Sequence, residues 1–319
     1  MTKQHRFTLL LPLALTSLLT GCAAHRQTAS EVAIRGPGER SFRPPEPLVA
    51  EARADREFAW LAEAAYGHTV DAETKSKAAL QADPACRDPE RILEAGGWTL
   101  WTDFPSDGLR DKFKKTNLRA EVWSRKNPSA VAVAFGGTVF SNWKDWLANL
   151  RWFIPIHNDE YTAVVTEFGP AFVAEYQRLA NLPAWSYLKD ATLYATGHSL
   201  GGGLAQEFAY SLPPDATVPR VAKVYAFDPS PVTGFYSAEA RTRDINKEAL
   251  QIDRIYERGE VLAYIRSITN FVAPPPASSP AVRTIRYNFV RHQNPVDQHS
   301  IRELACGIEL AVRQATTEK

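Results

Sequence analysis

The sequence predicts an α/β fold, a mostly parallel central sheet covered by helices on both faces. Short apolar segments alternate along the chain with longer amphipathic ones, at the periods of strands and helices. Ala130–Phe135 is apolar throughout, the pattern of a central strand buried on both faces. The glycine-rich run Thr196–Gly203 stands between a strand-like segment, Ala191–Ala195, and a helix-like one, Leu204–Tyr210.

In chain order, residues 1–21 read as a signal peptide. Lys3, His5 and Arg6 form a charged start, and Phe7–Leu19 is an apolar stretch too short to span a bilayer as a mature helix. Leu19-Thr20-Gly21-Cys22 resembles the lipobox of bacterial lipoproteins, whose cysteine is lipidated and becomes the first residue after cleavage. Ordinary secretory cleavage beside a coincidental Cys22 is the alternative. Ala23, rather than aspartate, resembles lipoproteins sorted to the outer membrane, which here would face the periplasm. Residues 22–47, with Gly36-Pro37-Gly38 and Arg43-Pro44-Pro45-Glu46-Pro47, read as a flexible tether. Residues 48–319 read as one folded domain.

Within that domain, Leu48–Tyr66 has helical periodicity and Gly67 stops it. Ser76–Gln81 reads as a short helix, and Asp83-Pro84 and Asp88-Pro89 as breakers. Gly97–Trp101 and Leu118–Ser124 read as strands, and Asn127-Pro128 turns the chain into Ala130–Phe135 and Gly136-Gly137-Thr138. The aromatic stretch 142–156 carries Trp143, Trp146, Trp152 and Phe153. Trp146 reads as core; for Trp152–Ile156 a lipid-facing lid and a core segment both stay open. Tyr161–Leu182 reads as a long amphipathic helix. Val221–Phe227, Ile252–Tyr256 and Thr284–Val290 read as strands, Phe271–Pro280 and His292–Ser300 as loops, and Ile301–Val312 as a closing helix.

Composition narrows the function classes. With 45% hydrophobic and 23% charged residues and a formal net charge of +1, the chain is an ordinary globular protein without a basic run for nucleic acid. An anchor at Cys22 would therefore be lipid and not a basic surface. Cys86 and Cys306 lack C-x-x-C spacing and there is no H-E-x-x-H, so no metal or cofactor is implied. The two cysteines either pair in an oxidising compartment or sit as small buried hydrophobes.

Gly197-His198-Ser199-Leu200-Gly201 fits G-x-S-x-G between a strand and a helix. A serine at so sharp a turn sits in a strained backbone conformation, and its neighbours two before and two after must lack a Cβ. Its hydroxyl is then exposed beside helix N–H groups that face a developing oxyanion. Ser199 is thus a candidate nucleophile; a glycine-rich turn with an incidental serine is the alternative. Gly203 extends the glycine run and is expected to let the helix pack closely on its strand.

Three blocks resemble the class 3, fungal-type lipases of the α/β-hydrolase fold. They are Phe135-Gly136-Gly137-Thr138 followed by Asp145-Trp146, the nucleophile block Gly197–Gly202, and Tyr66-Gly67 at the end of the first helix. The match covers roughly residues 48–312, with Gly136 standing where that family usually carries Arg. The resemblance implies an α/β-hydrolase fold and a Ser-acid-His order along the chain. His292 and His299 follow the last strand, where such folds place the base, and His299 is preferred because it opens the final helix. His25, His68, His157 and His198 are set aside, the last as pointing away from Ser199. For the acid, Glu260 follows the later strand and is preferred by topology; Asp228 in Phe227-Asp228-Pro229 stays as the alternative. Asp253 sits at the start of its strand, the wrong end of a parallel sheet. Leu200 N–H and Thr138 are the candidate oxyanion donors.

These readings point to a lipid-anchored carboxylic-ester hydrolase acting on acylglycerols or other lipid esters. A hydrolase of non-lipid esters or thioesters, and a catalytically silent envelope binding protein, are the alternatives. Oligomeric state is not legible.

Overall fold

The computed structural model describes residues 27–67, 83–137, 160–260, 262, 277–290 and 297–317. The signal-peptide segment, Cys22, the Ser76–Gln81 helix, Thr138, the aromatic stretch 142–156 and His292 lie outside the described residues.

Among the described residues nine strands form one sheet: β1 (Glu31–Arg35), β2 (Glu46–Pro47), β3 (Thr99–Leu100), β4 (Arg119–Lys126), β5 (Ser129–Gly136), β6 (Thr192–His198), β7 (Val221–Phe227), β8 (Gln251–Glu257) and β9 (Ala281–Tyr287). Their order across the sheet is β2-β1-β9-β8-β7-β6-β5-β4-β3. Strands β5 to β9 are parallel, and the antiparallel pairs β4–β3 and β1–β2 close the two edges. Helices are α1 (Val49–Ala64), α2 (Pro89–Ala95), α3 (Asp107–Thr116), α4 (Glu160–Ala163, a π turn at Val164–Phe168, then Gly169–Ala180), α5 (Leu200–Ser211), α6 (Ala240–Asn246) and α7 (Ile301–Thr317). This is the mostly parallel sheet that the alternation predicts, with helices on both faces.

β5 shows how the two faces differ. Val131, Val133 and Phe135 join Phe168 and Phe172 of α4 and Phe208 of α5 in one core. Ala130, Ala132 and Ala134 face the other core, with Phe58 and Leu61 of α1 and Leu304 and Ile308 of α7. Phe168, Phe172 and Phe208 pack with ring centroids 5.4 to 6.2 Å apart. Burying each such ring contributes about 1.5–3 kcal/mol. The small residues on the other face let α1 lie close. The Thr196 hydroxyl donates to the Phe58 carbonyl at 3.0 Å, and a Cβ on Gly136 would lie 2.6 Å from the Ala65 carbonyl oxygen. Gly136 is therefore dictated by the end of α1.

Several elements differ from expectation. The segment expected as a tether over 22–47 is folded from its described start: β1 pairs with β9 on one side and β2 on the other, with Val32 and Ala33 fully buried. Its Pro- and Gly-rich composition masked a short strand that is buried from Val32 to Arg35. Asp83-Pro84 and Asp88-Pro89 start helical turns. Asp83 Oδ1 accepts from the Ala85 N–H at 2.8 Å and Asp88 Oδ1 from the Arg91 N–H at 3.0 Å, with proline at the first helical position. The helix expected over Tyr161–Leu182 contains a π turn because Pro170 lacks an N–H and clashes in a regular α-helix; the Gly169 N–H bonds to the Val164 carbonyl instead. Helices α2, α3 and α6 were not anticipated; α6 is capped by Glu239, whose carboxylate accepts from the Arg241 and Thr242 N–H groups.

Cys86 and Cys306 are bonded, with Cα atoms 5.5 Å apart and a sequence separation of 220. The bond joins the turn before α2 to α7, both on the α1 side of the sheet. Replacing both cysteines by serine is expected to cost about 2–5 kcal/mol, measured as a lower denaturation midpoint against the oxidised wild type.

Asp55 of α1 is fully buried, and its Oδ2 accepts from the Tyr287 hydroxyl at 2.7 Å. Burial pushes its pKa up to about 8, and the charge of Asp253 adds to the shift. An acid raised from about 3.9 contributes stability that is complete below that value and is lost as pH rises through the folded pKa. Asp55→Asn is thus expected to flatten the decline of stability between pH 5 and 8 by roughly 1.4 kcal/mol per unit, read as the wild-type-minus-variant difference in urea midpoints across that range.

Candidate active site

The junction of β6 and α5 fixes Ser199. Its backbone sits at φ 57° and ψ −122°, outside the regions ordinary residues occupy. Hydrogen bonds hold it there: the Ser199 N–H donates to the Phe227 carbonyl and the Ser230 N–H donates to the Ser199 carbonyl, both at 2.9 Å. The flanking glycines meet the steric demand read from the sequence. A Cβ on Gly197 would strike the Gly201 backbone, and one on Gly201 would strike the Phe135 carbonyl. Gly203 has a different reason. A Cβ there would meet the Tyr161 hydroxyl and the Val232 carbonyl, which are hydrogen-bonded to each other at 2.8 Å, so this glycine admits Tyr161 and not the strand.

His299 ends a 3₁₀ turn, Asp297–His299, just before α7. Its Nε2 lies 2.9 Å from Ser199 Oγ and its Nδ1 3.0 Å from Glu260 Oε2. Glu260 is fully buried in the turn after β8, delivered there by Gly259 at φ 84°. The same Oε2 accepts from the Leu262 N–H at 2.7 Å, which fixes the carboxylate. With Nδ1–H donating to Glu260, Nε2 is left to accept the serine proton. Leu200 opens α5 directly after Ser199, so its N–H has no acceptor within the helix.

Asp228, the alternative acid, sits at the end of β7 at φ 40°. Its Oδ1 accepts from the Glu257 N–H at 3.1 Å, and its Oδ2 lies 3.8 Å from His198 Nε2. His198 was set aside as pointing away from the serine. Its Nδ1 does turn to the Tyr66 hydroxyl, at 2.7 Å, but its ring centroid is 4.7 Å from that of His299. Burial pushes the Tyr66 phenol well above its usual range, so it stays protonated, and it is hydrogen-bonded to the Gly137 backbone as well. Burial raises Glu257 to about 8, with the charge of Asp228 adding to the shift, and its Oε2 accepts from the Phe289 N–H at 3.1 Å. Sequence reasoning missed Tyr66 and Glu257 as neighbours of the site. For Tyr66 the signal was present, since Tyr66-Gly67 had been singled out at the end of the first helix.

Gly137 is the last described residue of its loop, and a Cβ there would lie 2.8 Å from the His198 carbonyl and 3.3 Å from Ser199 Cβ. Gly137, directly after β5, therefore lies beside the turn that carries Ser199. Among the described residues, His198, Asp228 and His299 place atoms of metal-ligating type within 4.8 Å of one another. Both nitrogens of His299 already face Ser199 and Glu260, so an ion there would displace the relay.

No curated protein matches the chain. Among solved structures, the lipase from Rhizopus microsporus var. chinensis is 17% identical, with a TM-score of 0.44 over 80% of this chain and 85% of that one. Lipase II from Rhizopus niveus is 15% identical, with a TM-score of 0.42 over 81% and 97%. The Rhizomucor miehei lipase in its propeptide complex is 14% identical, with a TM-score of 0.39 over 80% and 72%. The model of the Tle-like phospholipase domain matches residues 58–267, from the middle of α1 past Glu260. The chain belongs to the Tle-like phospholipase domain family.

Proposed function

We propose that this chain is a serine hydrolase of lipid carboxylic esters, lipid-anchored through Cys22, with Ser199, His299 and Glu260 as its catalytic triad. One observation carries the reading: an unbroken line of hydrogen bonds from Ser199 Oγ through both nitrogens of His299 to the buried Glu260, set beside the first N–H of α5. Ser199 Oγ attacks the ester carbonyl while His299 Nε2 takes its proton. The carbonyl oxygen becomes an anion held by the Leu200 N–H, with Thr138 as the second donor. Glu260 stabilises the imidazolium. The proton passes to the leaving alcohol, an acyl-serine remains, and water activated by the same histidine releases the acid. Membership of a phospholipase-like family favours an acyl ester of a phospholipid as substrate. The Cys86–Cys306 bond supports an oxidising compartment, in keeping with a periplasm-facing outer-membrane lipoprotein.

Ser199→Ala is expected to lower turnover of p-nitrophenyl esters at least about 10⁴-fold with an unchanged circular-dichroism spectrum; a folded variant retaining wild-type turnover would sink the proposal. Chain-length dependence separates lipid esters from short non-lipid esters: turnover should rise from butyrate to longer acyl chains presented in vesicles.

The acid has its own test. Glu260→Gln keeps the shape of the side chain but not its charge, and is expected to cost about 10⁴-fold in kcat. Asp228→Asn retains an oxygen for the Glu257 N–H and should cause no loss of that order. The reverse ranking would transfer the role to Asp228.

A further inference from the structure

We infer that the lipid anchor holds the triad end of the sheet against the leaflet that carries it, so that the enzyme draws its substrate from its own membrane. This rests on the reading of Cys22 and Ser199 given above. The decisive residue is Gln27, which is 3% exposed and tied to the sheet edge by four hydrogen bonds. Its Nε2 donates to the Arg286 carbonyl at 2.7 Å and to the Glu31 carbonyl at 3.0 Å. Its Oε1 accepts from Arg286 Nε at 3.0 Å, and its backbone carbonyl accepts from Asn288 Nδ2 at 2.9 Å.

The register places this pin. β1 runs antiparallel to β9, with Ala33 opposite Arg286 and Arg35 opposite Thr284, so the start of β1 lies at the end of β9. In a parallel sheet that end is also where β6 and β8 deliver Ser199 and Glu260. A cleft of about 520 Å³ there is lined by Gln27 and Thr28 together with Gly259 and Gln298. Gly259 precedes the acid and Gln298 precedes the base.

From Cys22 to Gln27 is five residues, which reach at most about 18 Å even fully extended. A tether running to residue 47 would have reached roughly 90 Å and let the domain take any orientation. The short reach does not: the acyl chains enter the membrane within about 18 Å of the triad end, and the opposite end of the sheet is turned away.

The experiment inserts 30 Gly/Ser residues between Ala24 and His25 and compares the variant with wild type, each purified in acylated form in phosphatidylethanolamine/phosphatidylglycerol vesicles. A fluorescent fluorophosphonate on Ser199 reports proximity by energy transfer to a rhodamine-labelled lipid. Hydrolysis is followed for the carrier vesicles, for added protein-free vesicles and for p-nitrophenyl butyrate. The insertion is expected to leave butyrate turnover unchanged, to cut energy transfer by at least half and to slow carrier-lipid hydrolysis at least fivefold. Hydrolysis of the added vesicles should rise. Equal energy transfer and equal carrier-lipid hydrolysis in both forms would overturn the inference alone. A Cys22 without acyl chains by mass spectrometry, or a Ser199 that never takes the label, would overturn the underlying reading and the inference with it.

Discussion

Where β6 turns into α5, the backbones of β5, β6 and α5 approach more closely than any side chain permits. Gly197 and Gly201 lie against each other, and the Phe135 carbonyl sits where a side chain of Gly201 would be. That contact holds Ser199 in a conformation that costs of order 1–3 kcal/mol, offset by the hydrogen bonds to Phe227 and Ser230. It also aims the N-terminus of α5 at the site and seats the β5 loop beside the serine. A side chain at either glycine would move Ser199 and the start of α5 together, because one crossing of backbones positions both.

Beside Ser199, His299 and Glu260 lies a second polar layer, with the Tyr66 hydroxyl against His198 and Asp228 beside Glu257. It explains why more acids gather here than the proposed chemistry uses. Asp228 accepts from the backbone of β8, and Glu257, raised to about 8 by burial, accepts from the Phe289 N–H just past β9. Both carboxylates tie neighbouring parallel strands together at their C-terminal ends, where the ladder hydrogen bonds stop and backbone groups would otherwise lack partners. Glu260, one turn further on, is the carboxylate that reaches Nδ1 of His299.

Much of this was legible because the underlying rules are local. The apolar run of β5, the glycines around Ser199 and the alternation of strands and helices each follow from burial or from sterics within a few residues. The order Ser199, Glu260, His299 rests on no local rule; it is what the resemblance to the fungal-type lipases implies, an acid after a later strand and a histidine after the last. What was not legible depends on partners far away in sequence. β1 is too short and too mixed in composition to declare itself until β9 pairs with it. The aspartates before Pro84 and Pro89 look like breakers unless their side chains are seen to cap. His198 turns towards Tyr66, 132 residues earlier, and nothing near it in the sequence says so.

The bond between Cys86 and Cys306 has a consequence beyond stiffness. It makes the chain between them a covalent ring, and Ser199, Glu260 and His299 all lie inside that ring. A single nick anywhere within the ring leaves two pieces still joined through sulfur. The triad residues then stay in one molecule, and a second cut or a reductant is needed before any of them can be carried away.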